Sequence, residues 1–402
     1  MRSEGSGVDL IVLGGGVIGL TVAWRARARG MSVTVLERDG LGGGASHVAA
    51  GMLAPVAEAE FGHSARKLLG LGLRSAEMWP EFAAELEQVC DLEIGLRQTG
   101  TLLIARDQDE ARELERQIEL RESLSLQTVR LLPSQARELE PALAPTLRLA
   151  LEIPGDHSVD PRLLLAALSR ACERCGVCVR EGTPVRTLEV DRDRQRLAGV
   201  RLENGERLLA AEVLVAAGAW SATLEGLAPE AGVPVRPVKG QILRLHDPDG
   251  PGLLGRVVRF QGGYLVPRAD GGYVLGASVE ERGFESAATA GVVYELLRQA
   301  RELLPGIAEL QLREIGVGLR PSTPDNAPVI GRGALEGLLW ATGHHRNGIL
   351  LSPLSARLIV ALLTGTASSD DLELLSACAP TRFAPTDPAT KALRAAAVGA
   401  GS

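Results

Sequence analysis

The sequence predicts an α/β fold that opens on a Rossmann-type βαβ unit, and three observations predict it. The stretch "DLIVLGGGVIGLTVAWRARARGMSVTVLER" joins two short apolar runs through a helical period. Three glycines at fixed spacing, Gly14, Gly16 and Gly19, occupy the first junction. Farther on, "PRLLLAALSRACERCGVCVRE" repeats the helix-then-strand pattern.

Residues 10–13 read as a buried strand, being an unbroken aliphatic run that stops at a glycine. Residues 17–29 carry apolar side chains at helical spacing, and residues 32–37 form the second strand. Gly14 permits the tight turn, Gly16 lets the backbone approach a pyrophosphate, and Gly19 lets helix and strand pack closely. The helix start, with unpaired N–H groups and the positive end of its dipole, suits an anion. Glu37 ends the second strand, placed to accept hydrogen bonds from a ribose diol, and its charge argues against a 2′-phosphate. These features predict a dinucleotide site, with FAD and NAD both open. The next stretch, "DGLGGGASHVAAGMLAP", favours FAD, because Gly, Ala and Ser let a planar ring system pass closely. His47 lies within it, readable as a solvent-facing loop residue or as a catalytic one.

Residues 77–137 are helical, acidic and arginine-rich, and residues 235–313 are rich in strands. Between them, the helix of "PRLLLAALSRACERCG" closes on Gly176 and feeds a strand. Its Cys172, Cys175 and Cys178 have the spacing that begins an iron–sulfur run, but Gly182 stands where the next cysteine belongs. Buried thiols at a helix end explain them without a metal or a disulfide. After about residue 367 the chain is rich in Ala, Pro and Thr and is expected to be a mobile tail.

Composition narrows the partners. A net charge of −7 over 402 residues offers no basic field for a nucleic acid or an acidic membrane surface. Only three of the 43 basic residues are lysine, and the arginines are scattered. No unbroken apolar run reaches membrane-spanning length, and the glycine spacing argues against a signal peptide, so a cytoplasmic protein is expected.

The motifs "GGGVIG", "LERDGLGGGASHVAAGML", "LVAAGAWS", "GYLVPR", "GLRPSTPDNAPVIG" and "GHHRNGILLSP" occur in that order. Over about residues 8–365 the chain therefore resembles the D-amino-acid-oxidase-like family of FAD amine oxidases, and within it the glycine oxidases of thiamine biosynthesis. The resemblance implies a Rossmann-type FAD-binding domain interleaved with an antiparallel-sheet substrate domain. FAD-binding segments are expected at 1–76, 151–234 and 314–366, substrate segments at 77–150 and 235–313, and the tail at 367–402. It implies non-covalent FAD, since no cysteine lies near Arg320, where sarcosine oxidases attach their flavin. The implied cofactor contacts are Gly14, Gly16, Val17, Ile18, Gly19, Glu37, Arg38, Ala45, Ser46, Ala50, Gly51, Met52, Val185, Gly218, His344, His345, Arg346, Asn347, Gly348, Ile349 and Leu350.

The same resemblance places "HHRNGIL" beneath the flavin's pyrimidine edge, before a helix expected over 352–363 with Ser352 as N-cap and Pro353 first in the helix. Backbone N–H groups of residues 347–349, the helix dipole and Arg346 would stabilise negative charge there. Arg320 is expected to hold an amino-acid carboxylate, with Tyr264 as second donor and Arg346 also near the substrate. Glycine oxidases with a histidine near Gln261 and a methionine where Val279 stands leave the substrate order open. The implied reaction takes hydride from Cα to flavin N5, giving an imine, then glyoxylate and ammonia, and hydrogen peroxide from oxygen. Thiazole synthase is the implied imine acceptor, and a homotetramer the implied assembly. A D-amino-acid or sarcosine dehydrogenase using another acceptor is the alternative, and a non-catalytic flavoprotein a third reading.

Overall fold

The computed structural model describes residues 7–383 apart from 61, 192, 194 and 251. Residues 384–402, most of the expected tail, lie outside the described residues. The first strand is Val8–Leu13, the glycine turn feeds the helix Val17–Ala28, and the second strand is Val33–Leu36. All three agree with the sequence reading to within two residues. Val8–Leu13 is buried on both faces, and it pairs in parallel with Val33–Leu36 on one side and Arg207–Val215 on the other. The sheet continues outward from these strands through Leu338–Thr342 and Val329–Arg332 on one side and Cys178–Arg180 on the other. An antiparallel arm, Val185–Asp191 and Arg196–Leu202, extends from Arg207–Val215. Helices Val17–Ala28, Pro161–Cys175 and Ser352–Thr364 bury Trp24, Leu168 and Leu358 in one core beside this sheet.

A second sheet of eight strands is almost wholly antiparallel, with Arg236–His246 and Gln311–Ser322 as its long neighbours. Its face packs on helix Ala290–Leu303 through Leu296, Ala300 and Leu303. The architecture is thus an α/β layer joined to an antiparallel-sheet layer, as the sequence implied. Three elements run through positions where segment joints were expected. Strand Gln311–Ser322 runs unbroken across 313/314, strand Leu149–Ile153 across 150/151, and helix His63–Cys90 across 76/77. Both strands lie along their whole length in the antiparallel sheet.

Two local readings are corrected. The helix Ser352–Thr364 has Leu351, not Ser352, at its N-cap position: Ser352 is already the first helical residue, and its hydroxyl donates back to the Ile349 carbonyl (2.9 Å). Residues 369–383 are folded, not tail: helix Ser369–Ala377 buries Leu375 in the core, and Arg382 binds Asp325 at 2.9 Å. Pro161–Cys175 does close on Gly176, whose φ of +77° is a left-handed cap. The five cysteines are free thiols, and burial pushes Cys172 up to about 12. Among the described residues no helix is long and apolar enough to cross a membrane.

Candidate active site

A cavity of about 430 Å³ runs from the glycine turn to the 344–349 stretch. Gly14, Gly16, Val17, Ile18, Glu37, Arg38, Ala45, Ser46, Val185 and Gly218 line it, with Thr183, two residues before Val185, hydrogen-bonded through its N–H to the Glu37 carbonyl. His344, His345, Arg346, Gly348 and Ile349 line the far end. The helix Val17–Ala28 starts at Gly16 with no acid in its first turn, so its positive end faces the cavity, with Val17 N–H donating to the Ser46 hydroxyl at 3.1 Å. A Cβ on Gly14 would lie 2.5 Å from the Ala216 carbonyl oxygen, and Gly14 has φ +108°, so this turn has room only for glycine. Glu37 braces it by accepting from Gly15 N–H (2.7 Å) and Asp39 N–H (3.0 Å).

At the far end the chain doubles back after Thr342. His345 has φ +47°, its N–H donates to the Pro321 carbonyl, and its Nδ1 meets the Ser322 hydroxyl at 2.5 Å. The His344 Nε2 meets Ser355 Oγ at 2.9 Å. Burial pushes His344 down to about 3 and, with Arg346 and Arg320 adding to it, His345 down to about 4. Both are neutral at pH 7. Among the described residues the Gly348 and Ile349 N–H groups make no backbone hydrogen bond, and both residues line the cavity.

The neutral histidines carry a pH prediction. A histidine lowered in the fold takes up protons in the unfolded chain first, so stability is full above about 6.5 and falls as pH drops toward 4. Thermal unfolding midpoints from pH 7.5 to 4.5 should therefore fall less steeply for His344→Gln than for the wild type. Parallel slopes would show that His344 does not ionise on unfolding.

A second cavity of about 260 Å³ meets the first at Ala49, Arg320, Arg346 and Ile349. It holds Tyr264, Ala50, Gly51, Met52 and Asn347, so three expected flavin-loop residues face this chamber. Arg320 lies near the end of Gln311–Ser322, and its guanidinium passes over Gly240, where any Cβ would overlap it. Its Nη1 donates to the carbonyls of Ser278 (3.0 Å) and Lys239 (3.3 Å), leaving the Nη2–Nε edge for Tyr264 and a ligand. Burial lowers the Arg320 guanidinium, opposed by Tyr264, while burial raises the Tyr264 phenol. Gly276 makes the matching space for Tyr264, its would-be Cβ lying 2.5 Å from the hydroxyl.

Sequence reasoning missed Glu58 and Arg259, which share this chamber. Glu58 lies 3.2 Å from Arg259 and 3.8 Å from Arg346. Burial would raise its carboxyl, but Arg259, Arg346, His345 and Arg320 together hold it below its ordinary value. Its loop is gripped from both sides. Asp156 accepts from the Val56 and Ala57 N–H groups, while the buried Arg121 donates to the Val56 and Ala57 carbonyls. Trp220, stacked under Arg38 at 4.5 Å, is a further missed wall of the first cavity. The quoted "LVAAGAWS" contains it, which was the available signal.

Some expected contacts lie elsewhere. Gly19 packs against the Gly14 carbonyl, and Leu350 sits in the core while its carbonyl accepts from Ser75 and Trp79. His47 is exposed and lines neither cavity. Val279 stands at the second cavity, 65% exposed, whereas Gln261 lines a separate one.

Residues 9–362 match the family described as FAD dependent oxidoreductase (DAO). The chain is 35% identical to the glycine oxidase of Geobacillus kaustophilus over 90% of its own length and 95% of that protein's. The crystal structure of glycine oxidase from that organism superposes with a TM-score of 0.83, at 34% identity, covering 90% of this chain and 96% of that one. The bifunctional protein ThiO/ThiG of Trichormus variabilis is 35% identical over 87% of this chain, which spans 52% of that longer protein. Iminodiacetate oxidase from Chelativorans sp. superposes with a TM-score of 0.81 at 28% identity, covering 90% of this chain and 96% of that one.

Proposed function

The chain belongs to the FAD dependent oxidoreductase family, and from that premise we propose that it oxidises glycine and other small amines with molecular oxygen. The residues present fit the cofactor. The helix start at Gly16, lining the cavity with no acid in its first turn, suits the pyrophosphate, Glu37 the ribose, and the Gly348 and Ile349 N–H groups a ring that gains negative charge. Bound FAD would supply the hydride acceptor and pass the electrons on to oxygen as hydrogen peroxide.

One observation carries the substrate reading: Arg320 and Tyr264 converge in a small chamber that opens on the far end of the cofactor cavity. The free edge of Arg320 takes a carboxylate with two parallel hydrogen bonds, and Tyr264 donates a third. This fixes Cα rather than activating it. Arg259, Arg320 and Arg346 face one carboxylate, Glu58, so the chamber is net positive and disfavours an ammonium. The neutral amine's lone pair then assists departure of the Cα hydrogen as hydride. The product imine hydrolyses to glyoxylate and ammonia or is passed on for thiazole formation, a reading supported by the likeness to ThiO/ThiG proteins.

A panel of glycine, sarcosine, iminodiacetate and small D-amino acids, scored by peroxide release under air, tests this. Peroxide stoichiometric with substrate is expected. Flavin reduction that yields no peroxide would replace the oxidase with a dehydrogenase. Acid precipitation should also release intact FAD into the supernatant, and a yellow pellet would show a covalent flavin.

A further inference from the structure

The least expected charge outside the cavities is Lys239, one of only three lysines in the chain and fully buried in strand Arg236–His246. Side chains alternate along a strand, so Lys239 and Gln241 share one face while Gly240, with Arg320 lying over it, occupies the other. The Lys239 side chain therefore points away from Arg320, which only its backbone carbonyl touches, at 3.3 Å from Nη1. What it reaches is residues 277–289, a run without helix or ladder strand between Gly272–Gly276 and Ala290–Leu303. Its ammonium lies 3.2 Å from Glu285 and 3.9 Å from Glu280. The buried Gln241 completes the attachment: its Nε2 donates to Glu280 (2.9 Å) and Thr289 (3.1 Å), and its Oε1 accepts from Thr289 N–H (2.9 Å). Backbone bonds pair Lys239 with Glu280 in both directions.

This segment touches both chambers. Its Ser278 carbonyl accepts from Arg320, and its Val279 lines the substrate cavity. Its Phe284 ring lies 5.8 Å from Trp220, a wall of the cofactor cavity. A buried ion pair is weak support for stability, since apolar residues of similar volume serve as well. It does specify one arrangement, because each misplaced alternative leaves a buried charge without its partner.

We propose that Lys239 is a positioning residue for substrate binding: through Glu280 and Glu285 it fastens residues 278–289 over the substrate cavity, and through the Ser278 carbonyl it fixes the Arg320 guanidinium. The proposal rests on Arg320 as the carboxylate anchor. The segment is held by an amine on one face of the sheet and acts on a guanidinium on the other.

The test uses the FAD-loaded enzyme with acetate as carboxylate probe, read by the flavin absorbance change, alongside glycine kinetics by peroxide. Lys239→Met should raise the acetate Kd and the glycine KM by about tenfold, the size expected when an anchor is misplaced but not removed, with kcat changed far less. FAD retention should stay at the wild-type level. Glu285→Gln, at a half-exposed position, should shift both constants the same way by a smaller factor. Adding Lys239→Met to Arg320→Ala should weaken acetate no further, since the two act as a unit. Unchanged acetate binding in Lys239→Met overturns the proposal, as does full additivity with Arg320→Ala. Should Lys239→Met fail to fold, wild-type acetate binding by Glu285→Gln overturns it. Normal acetate binding by Arg320→Ala alone sinks the anchor reading instead, which separates the two failures.

Discussion

Arg320→Ala is expected to leave FAD bound and to remove nearly all turnover of glycine. The guanidinium lies at the junction of the two cavities, and its walls are already arranged: two carbonyls take Nη1, Gly240 gives it room, and Tyr264 stands beside it. Truncating one member of a buried charge pair costs roughly 2–5 kcal/mol, about thirty- to several-thousand-fold in binding. The loss should appear in the glycine half-reaction, because nothing in the reoxidation by oxygen needs a carboxylate anchor. Arg320→Lys should recover only part, since a point charge cannot reproduce a bidentate fork or keep both carbonyl bonds. Rapid-mixing reduction of the bound flavin by glycine reads this directly. Wild-type saturation by the alanine variant would move the anchor, and Arg346 would be the next candidate, although Glu58 and Glu60 already engage it.

The first strand–helix–strand unit was legible because its signals are local. A turn with φ +108° at Gly14 and the close approach of Gly19 to the Gly14 carbonyl leave glycine as the only residue that fits, and the spacing records it. The Gly176 cap is equally local. Arg320 and Tyr264 became legible through the resemblance, because "VGLRP" alone says only that an arginine precedes a proline. Glu58 was illegible for a physical reason. Its place depends on the grip of Arg121 and Asp156 on Val56 and Ala57, contacts 65 and 99 residues distant that no period records. Arg259 sits in a four-residue strand, Val257–Phe260, too short for its one polar side chain to reveal which face it occupies. Strand Gln311–Ser322 pairs with Arg236–His246 along its whole length, and no turn residue or composition change marks 313/314 within it.

Gly240→Ala should separate stability from function by a single methyl group. The chain's tight glycines differ in what an added Cβ would meet. At Gly14 and Gly19 it meets backbone carbonyls, which cannot move without breaking the turn, so substitution there should cost folding and cofactor together. At Gly240 its three nearest atoms all belong to the Arg320 guanidinium, the far end of a flexible side chain, and Gly240 has no positive φ. The cheap response is for Arg320 to swing aside. The fold should then hold, with an unfolding midpoint within a few degrees of wild type, while glycine KM rises by about tenfold or more because the fork no longer faces Tyr264. Thermal unfolding and glycine saturation curves on the same FAD-loaded preparation measure both arms. A variant that keeps wild-type KM would show that the guanidinium does not bind substrate from its place over Gly240. A variant that unfolds early would show that the Gln311–Ser322 strand cannot release its arginine, and the carboxylate site would then be part of the sheet's own packing.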